Sequence, residues 1–224
     1  MWRQSSERAR FPFVPKGKRA TVAGRTGSGK TTLATWLLNG SPQHWLILNP
    51  KWTAGYQTLP DVKIIRGANL RKVEDSLMRN KFTVLNPDNG ENNPEYLDYI
   101  IQHFHETMEG VGLCVDELYM IHEQGRAGSG LVGWLTRGRE LKQSFLGLTQ
   151  RPVWVSKFCF SEADYIGEMD LQLEGDRKTV YSYTGKPPML GRLPEKSWYW
   201  YTAATDTATR FGAVPLLTAP RDNP

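Results

Sequence analysis

Apolar runs of four or five residues recur along the 224-residue chain, and each ends in polar or turn-forming residues. Residues 19–23 (RATVA) enter a glycine-rich turn, and 45–48 (WLIL) stop at Asn49-Pro50-Lys51. Residues 82–85 (FTVL) stop at Asn86-Pro87, 111–115 (VGLCV) at Asp116-Glu117, and 144–148 (SFLGL) at Thr149-Gln150. Runs this short and this apolar predict buried strands. Helical spacing appears between them. Residues 30–38 (KTTLATWLL) run to the stop Asn39-Gly40-Ser41-Pro42. Residues 94–108 carry Tyr96, Ile100, Phe104 and Met108 on one face, and 130–141 predict a further helix. Strands alternating with helices imply an α/β fold, a mainly parallel sheet with helices on both faces. Residues 125–130 (GRAGSG) read as a flexible loop. Beyond residue 160 the pattern changes: 179–183 (TVYSY) and 198–201 (WYWY) alternate as strands do. They are expected to extend one edge of the sheet or to form a flap. The reading is a basic arm over 1–18 and one domain over 19–224. That domain has a core over 19–160 and a β-rich antiparallel extension over 161–224.

Charge sharpens this organisation. Lys and Arg total 28 against 23 Asp and Glu, a net +5. Residues 1–19 hold Arg3, Arg8, Arg10, Lys16, Lys18 and Arg19 against Glu7 alone, so the arm carries all of that excess. A uniformly basic nucleic-acid coat is thereby excluded. Residues 161–176 are the counterpart: Glu162, Asp164, Glu168, Asp170, Glu174 and Asp176 occur there without a basic residue. In an oligomer the arm of one subunit could meet this segment of the next. The N-terminal residues lack the apolar run of a secretory signal, and no stretch is long enough for a membrane helix. Cys114 and Cys159 are too few for a disulfide framework. His103 and His105 do not share a helix face, which argues against zinc.

The sharpest motif is Gly24-Arg25-Thr26-Gly27-Ser28-Gly29-Lys30-Thr31, followed by Thr32. It fits the phosphate-binding loop G-x-x-x-x-G-K-[ST] in full, with a strand before it and a helix after it. Glycines let successive N–H groups turn inward onto phosphate oxygens, and the helix N-terminus adds positive potential. Lys30 can reach the β- and γ-phosphates of ATP, and the Thr31 hydroxyl can ligate Mg²⁺. Strand 111–115 then delivers two adjacent carboxylates, the Walker B pattern: Asp116 for the metal shell and Glu117 to activate water. If strand 144–148 lies between those two strands, Gln150 sits beside the γ-phosphate. Arg137 and Arg139 are candidates for an arginine finger reaching a neighbouring subunit's nucleotide, and Arg126 is a rival. The WYWY segment reads as a strand packed on the core, with base stacking as its alternative.

Taken together, GRTGSGKT, the NPK after the second strand, VGLCVDE and GRELKQSFLGLTQ resemble the FtsK/HerA superfamily of P-loop ATPases. Within it the chain is most similar to genome-packaging ATPases of tailless, membrane-containing icosahedral viruses. The resemblance spans about residues 19–151. It implies a RecA-like fold, Gln150 as sensor, Arg139 as the trans finger, and a homo-pentameric or homo-hexameric ring pumping double-stranded DNA. A capsid-vertex or membrane-associated viral protein is an implied partner, in the host cytoplasm or at the virion's packaging vertex. Asn49 departs from the Asp usual in cellular members. Seventy-four residues follow Gln150, fewer than an added nuclease domain needs. Two other readings remain: a zonula-occludens-toxin-like morphogenesis or secretion ATPase, and a P-loop small-molecule kinase.

Overall fold

The computed structural model describes residues 11–123 and 126–217. Along the chain come β1 (Arg19–Ala23), α1 (Lys30–Gly40), β2 (Trp45–Leu48), β3 (Val62–Arg66), α2 (Leu70–Arg79), β4 (Phe82–Asn86), α3 (Pro94–Thr107) and β5 (Gly112–Val115). Then follow β6 (His122–Glu123), β7 (Arg126–Ala127), α4 (Ser129–Arg137), β8 (Ser144–Thr149), α5 (Phe158–Ser161), β9 (Tyr165–Glu168), α6 (Glu174–Thr184), β10 (Trp198–Thr202) and β11 (Thr207–Phe211). Nine strands form one sheet in the order β11-β10-β9-β1-β8-β5-β2-β4-β3. All pairs from β9 to β3 are parallel, and β10 and β11 add antiparallel strands at one edge.

Both faces are covered, as apolar parallel strands require. On one, Leu33, Leu37 and Leu38 of α1 pack with Val22, Ile47, Leu148, Trp198 and Trp200. On the other, α2 to α6 bring Val73, Phe104, Trp134, Phe160 and Val180 onto Leu46, Leu113 and Phe145. The buried stripe of α3 is Leu97, Ile100, Ile101, Phe104 and His105, turned about one position from the one expected. Tyr96 and Met108 pack only at its margin.

Three expectations need correction. Residues 179–183 are helical, inside α6, not a strand. Their β-branched and aromatic residues favour strands only weakly. The helix is set by its ends: Glu174 and Asp176 in the first turn, and Gly185 beyond the last at φ 61°. Asp176, Val180 and Thr184, each four apart, are its buried positions. The WYWY strand pairs with β9 and β11 instead. The helix expected over 130–141 stops at Arg137.

The glycine-rich loop is not loose either. Arg126 and Ala127 pair with β6, and the start of α4 is pressed onto α3. Asp98 accepts the N–H groups of Gly130 and Leu131, each at 2.9 Å. A Cβ on Gly130 would lie 2.5 Å from the Asp98 carbonyl oxygen. Gly125 lies outside the described residues, as do Arg3, Glu7, Arg8 and Arg10 of the arm. The rest of the arm is docked: Val14 is fully buried, and the Phe11 ring lies 5.2 Å from that of Trp36.

Gly130→Ala supplies a check with a diagnostic sign. In an open helix the change would raise stability, because alanine is the better helix former. Against α3 it is expected to lower the unfolding free energy by about 2 kcal/mol, read from the denaturant midpoint.

Candidate active site

The ends of β1, β2, β5, β8 and β9 meet along one edge of the sheet, where parallel α/β sheets hold their ligands. From β1 the chain enters the loop 24–29, with Gly27 at φ 77° and Gly29 at φ 98°, conformations that a side chain would strain. Lys30 opens α1. Its Nζ is buried and donates to its own loop, to the carbonyls of Gly24 (2.7 Å) and Arg25 (3.2 Å). Thr26 Oγ1 donates to Gln150 Oε1. Arg25 turns away, its Nε donating to Asp170 at 2.9 Å.

Strand β8 lies between β1 and β5, with Val22 opposite Leu148 and Val115 opposite Gly147. Gln150 therefore emerges between the phosphate-type loop and the acidic pair. Asp116 and Glu117 are both buried, and Glu117 adopts the left-handed conformation (φ 73°, ψ 77°). For a glutamate this costs about 1–3 kcal/mol and persists only when surrounding contacts hold it. Its Oε1 lies 3.3 Å from Lys51 Nζ and 3.9 Å from Lys30 Nζ, and its Oε2 is buried without a hydrogen-bond partner. Burial pushes both carboxyls above their usual range, against the pull of Lys30 and Lys51. Burial likewise lowers Lys30, against Glu117 and Asp116. Lys51 is held above the ordinary lysine range: burial opposes its charge, but Glu117 and Tyr119 outweigh it.

A cavity of about 340 Å³ opens here, walled by Thr26, Lys30, Thr31, Lys51, Asp116 and Glu117. A second, of about 570 Å³, shares Gly27, Gly29 and Thr32 with it and continues past Met169 to Arg192, Leu193 and Val214. One groove thus runs from buried charge to a half-apolar end.

No family model matches the chain. Over 169 residues it is 31% identical to the DNA packaging ATPase P9 of Enterobacteria phage PRD1, covering 74% of this chain and 70% of that protein. This chain belongs to the genome-packaging ATPases. Its fold matches the genome packaging NTPase B204 of Sulfolobus turreted icosahedral virus 2 in complex with AMPPCP. The TM-score is 0.71, at 14% identity, over 88% of this chain and 98% of that one. VirB4 of Thermoanaerobacter pseudethanolicus matches at TM-score 0.62 and 11% identity, over 90% of each chain.

In this packaging ATPase, Gly24 to Thr32, Asp116, Glu117 and Gln150 come together at one place. Arg137 and Arg139 do not. Both are exposed where α4 turns back to the start of β8. Arg139 Nη2 lies 3.7 Å from Asp164, which precedes β9. They therefore occupy the opposite edge of the sheet from their own phosphate loop. Arg126, exposed on β7, lines a cavity with Pro94 and Asp98 on the loop's own edge. His103 meets Glu74, His105 meets Gln143, and His122 meets the Leu118 carbonyl.

Four neighbours were not singled out from sequence. Lys51 stood in the NPK that follows β2, and Arg151 stood next to Gln150, where it pairs with Asp176 at 3.2 Å. Tyr119 carried no signal. Asp170 stood in the acidic run, where nothing set it apart from the other carboxylates. It receives Arg25 and both Nε (2.6 Å) and Nη2 (2.7 Å) of Arg192, and those hydrogen bonds hold its carboxyl well below the usual range.

Two residues before Asp170, Glu168 is buried beside Ala23 with neither carboxylate oxygen partnered. Burial pushes it up to about 9. The folded chain thus keeps this proton while the unfolded chain releases it above about pH 4.5. Stability attached to it is full at low pH and declines between about 5 and 9. Glu168→Gln is expected to remove that decline, which is up to about 1.4 kcal/mol per pH unit. Thermal unfolding at pH 5 and pH 8 checks it: the variant's advantage should appear at pH 8 and shrink at pH 5.

Proposed function

We propose that this packaging ATPase is a Mg-ATP-driven motor that translocates double-stranded DNA into a preformed viral capsid as a homo-oligomeric ring of five or six subunits. The observation that carries this is β8 between β1 and β5, which brings Gln150 to the strand ends where Lys30 lies 3.9 Å from Glu117. That arrangement suits attack by water on a γ-phosphate. The kinship with a DNA packaging ATPase at 31% identity supports the packaging role over a small-molecule kinase.

The chemistry follows from the residues. ATP would lay its phosphates along the loop and its nucleoside along the groove toward Leu193 and Val214. Lys30 would exchange the carbonyls of Gly24 and Arg25 for phosphate oxygens. The Thr31 hydroxyl and Asp116 carboxylate are hard oxygen donors lining one cavity, a set that suits Mg²⁺. When bound, that ion offsets negative charge on the phosphates. Glu117 accepts a proton from water as its oxygen bonds to the γ-phosphorus and the bond to the ADP oxygen breaks. Gln150 can bond both phosphate and water. Its bond to Thr26 couples that contact to the loop.

Arg139 and Arg137 face away from their own nucleotide, so a role for either lies in a neighbour's site, where a guanidinium steadies the transferring phosphoryl group. Arg126 on the β6–β7 hairpin is the first candidate for DNA contact. Among the described residues no helix is long and apolar enough to cross a membrane. Anchoring at a capsid vertex would then run through a capsid or membrane-associated viral protein. The setting is the host cytoplasm or the virion's packaging vertex.

Two measurements test this. Double-stranded DNA is expected to stimulate ATP hydrolysis, and Glu117→Gln to cut the rate at least about 100-fold while ATP still binds. Hydrolysis indifferent to DNA, or intact in the variant, contradicts the proposal. Separately, Arg139→Ala subunits mixed with Lys30→Ala subunits are expected to regain part of the activity each lacks alone. Failure to complement, with mixed rings formed, removes Arg139 as a trans residue.

A further inference from the structure

Glu117 is the residue assigned to water, yet here it does not face open solvent. Its side chain is 7% exposed, in a strained left-handed backbone, with Oε1 at 3.3 Å from Lys51 and Oε2 unpartnered. Lys51 comes from the turn after β2 and is one-third exposed. It also lies over the Tyr119 ring, 5.2 Å from its centroid. The Tyr119 hydroxyl accepts from Gln150 Nε2 at 3.3 Å, and Gln150 Oε1 accepts from Thr26 of the phosphate-type loop. A chain of contacts therefore runs Thr26–Gln150–Tyr119–Lys51–Glu117. It joins the loop that meets phosphate to the carboxylate that meets water, through Tyr119 and the lysine of the Asn49-Pro50-Lys51 turn.

We propose that Lys51 and Tyr119 are positioning residues that hold Glu117 in a resting posture until a γ-phosphate engages Gln150. The argument rests on the reading of Glu117 as the group that activates water. An amide has one oxygen and one NH₂ group. If Gln150 turns to a phosphate and a water, it loosens its bonds to Thr26 and Tyr119. Lys51 is then drawn toward the added negative charge, and Glu117 loses the nearer of its two cations. The strained backbone favours release, because the other contact at the carboxylate, Lys30 Nζ at 3.9 Å, is drawn to phosphate as well. Hydrolysis would thus begin only after the sensor has registered an intact triphosphate. The Tyr119 ring also meets Trp154 edge-on at 6.2 Å, and Arg151 stacks on Trp154 at 3.8 Å. The half-exposed Trp154 extends the chain to the surface, where a neighbouring subunit or DNA could act on it.

The test is single-turnover hydrolysis of Mg-ATP by the full chain without DNA, with affinity for a non-hydrolysable ATP analogue measured in parallel. Lys51→Met is expected to raise the DNA-independent rate at least fivefold with affinity unchanged within twofold. Tyr119→Phe, which keeps the ring and loses the acceptor, is expected to raise it at least twofold. Lys51→Arg, which keeps a cation within reach, retains the slow rate. The double variant Lys51→Met/Glu117→Gln is expected to be inactive. A loss of folding gives lower rates, so a gain is not produced by damage. A Lys51→Met rate that is unchanged or lower overturns the proposal, and a tenfold loss of affinity makes Lys51 a phosphate ligand instead. If Glu117→Gln alone hydrolyses normally, the reading of Glu117 fails, and that outcome is separate from the behaviour of Lys51.

Discussion

One ammonium and two carboxylates, Lys30, Asp116 and Glu117, are buried together at the ends of β1 and β5, and the rest of the site depends on that burial. Charges out of water are costly unless they are paired. Here the pairing is incomplete, and burial pushes each group toward its neutral form. Such a site is complementary to something that brings more charge than the protein holds. A triphosphate with a divalent cation has that character. The parallel sheet makes the arrangement possible, because parallel strands deliver their C-terminal ends, and only those, to one edge.

The later part of the acidic run over 161–176 serves the same edge, and its start, Asp164, the opposite one. Asp170 ties Arg25 to Arg192 and so joins the phosphate-type loop to the C-terminal segment. Asp176 holds Arg151, next to Gln150. Asp164 meets Lys18 of its own chain at 2.9 Å, so part of the arm-to-acid attraction is satisfied within one subunit. The segment acts as an internal clasp around β9.

Legibility in the sequence followed the range of the interactions. Strand β2 is evident from WLIL alone, because a doubly buried strand must be apolar at every position. The loop 24–31 is evident because phosphate geometry demands glycines at fixed spacing before Lys30 and Thr31. The strand character of TVYSY misled, because five residues of β-favouring type are outweighed by helix ends at Glu174 and Gly185. Strand β9 was hidden, because YIGE sits among carboxylates whose partners, Arg25, Lys18 and Arg151, lie far away in sequence. The same distance concealed Tyr119 and Asp170: neither has a local pattern, and each is placed only by contacts between strand ends. Gln150 needed the strand order as well as the motif. The arginines show the converse, since their separation from their own loop is a fact of topology that no short motif carries.

The central claim is that hydrolysis at this edge drives movement along duplex DNA. Its most direct measurement is displacement of a third strand from a DNA triplex by the assembled protein. With Mg-ATP the account predicts release of the third strand at a rate that rises with hydrolysis, and none with a non-hydrolysable analogue. Brisk DNA-stimulated hydrolysis with the triplex left intact would contradict it.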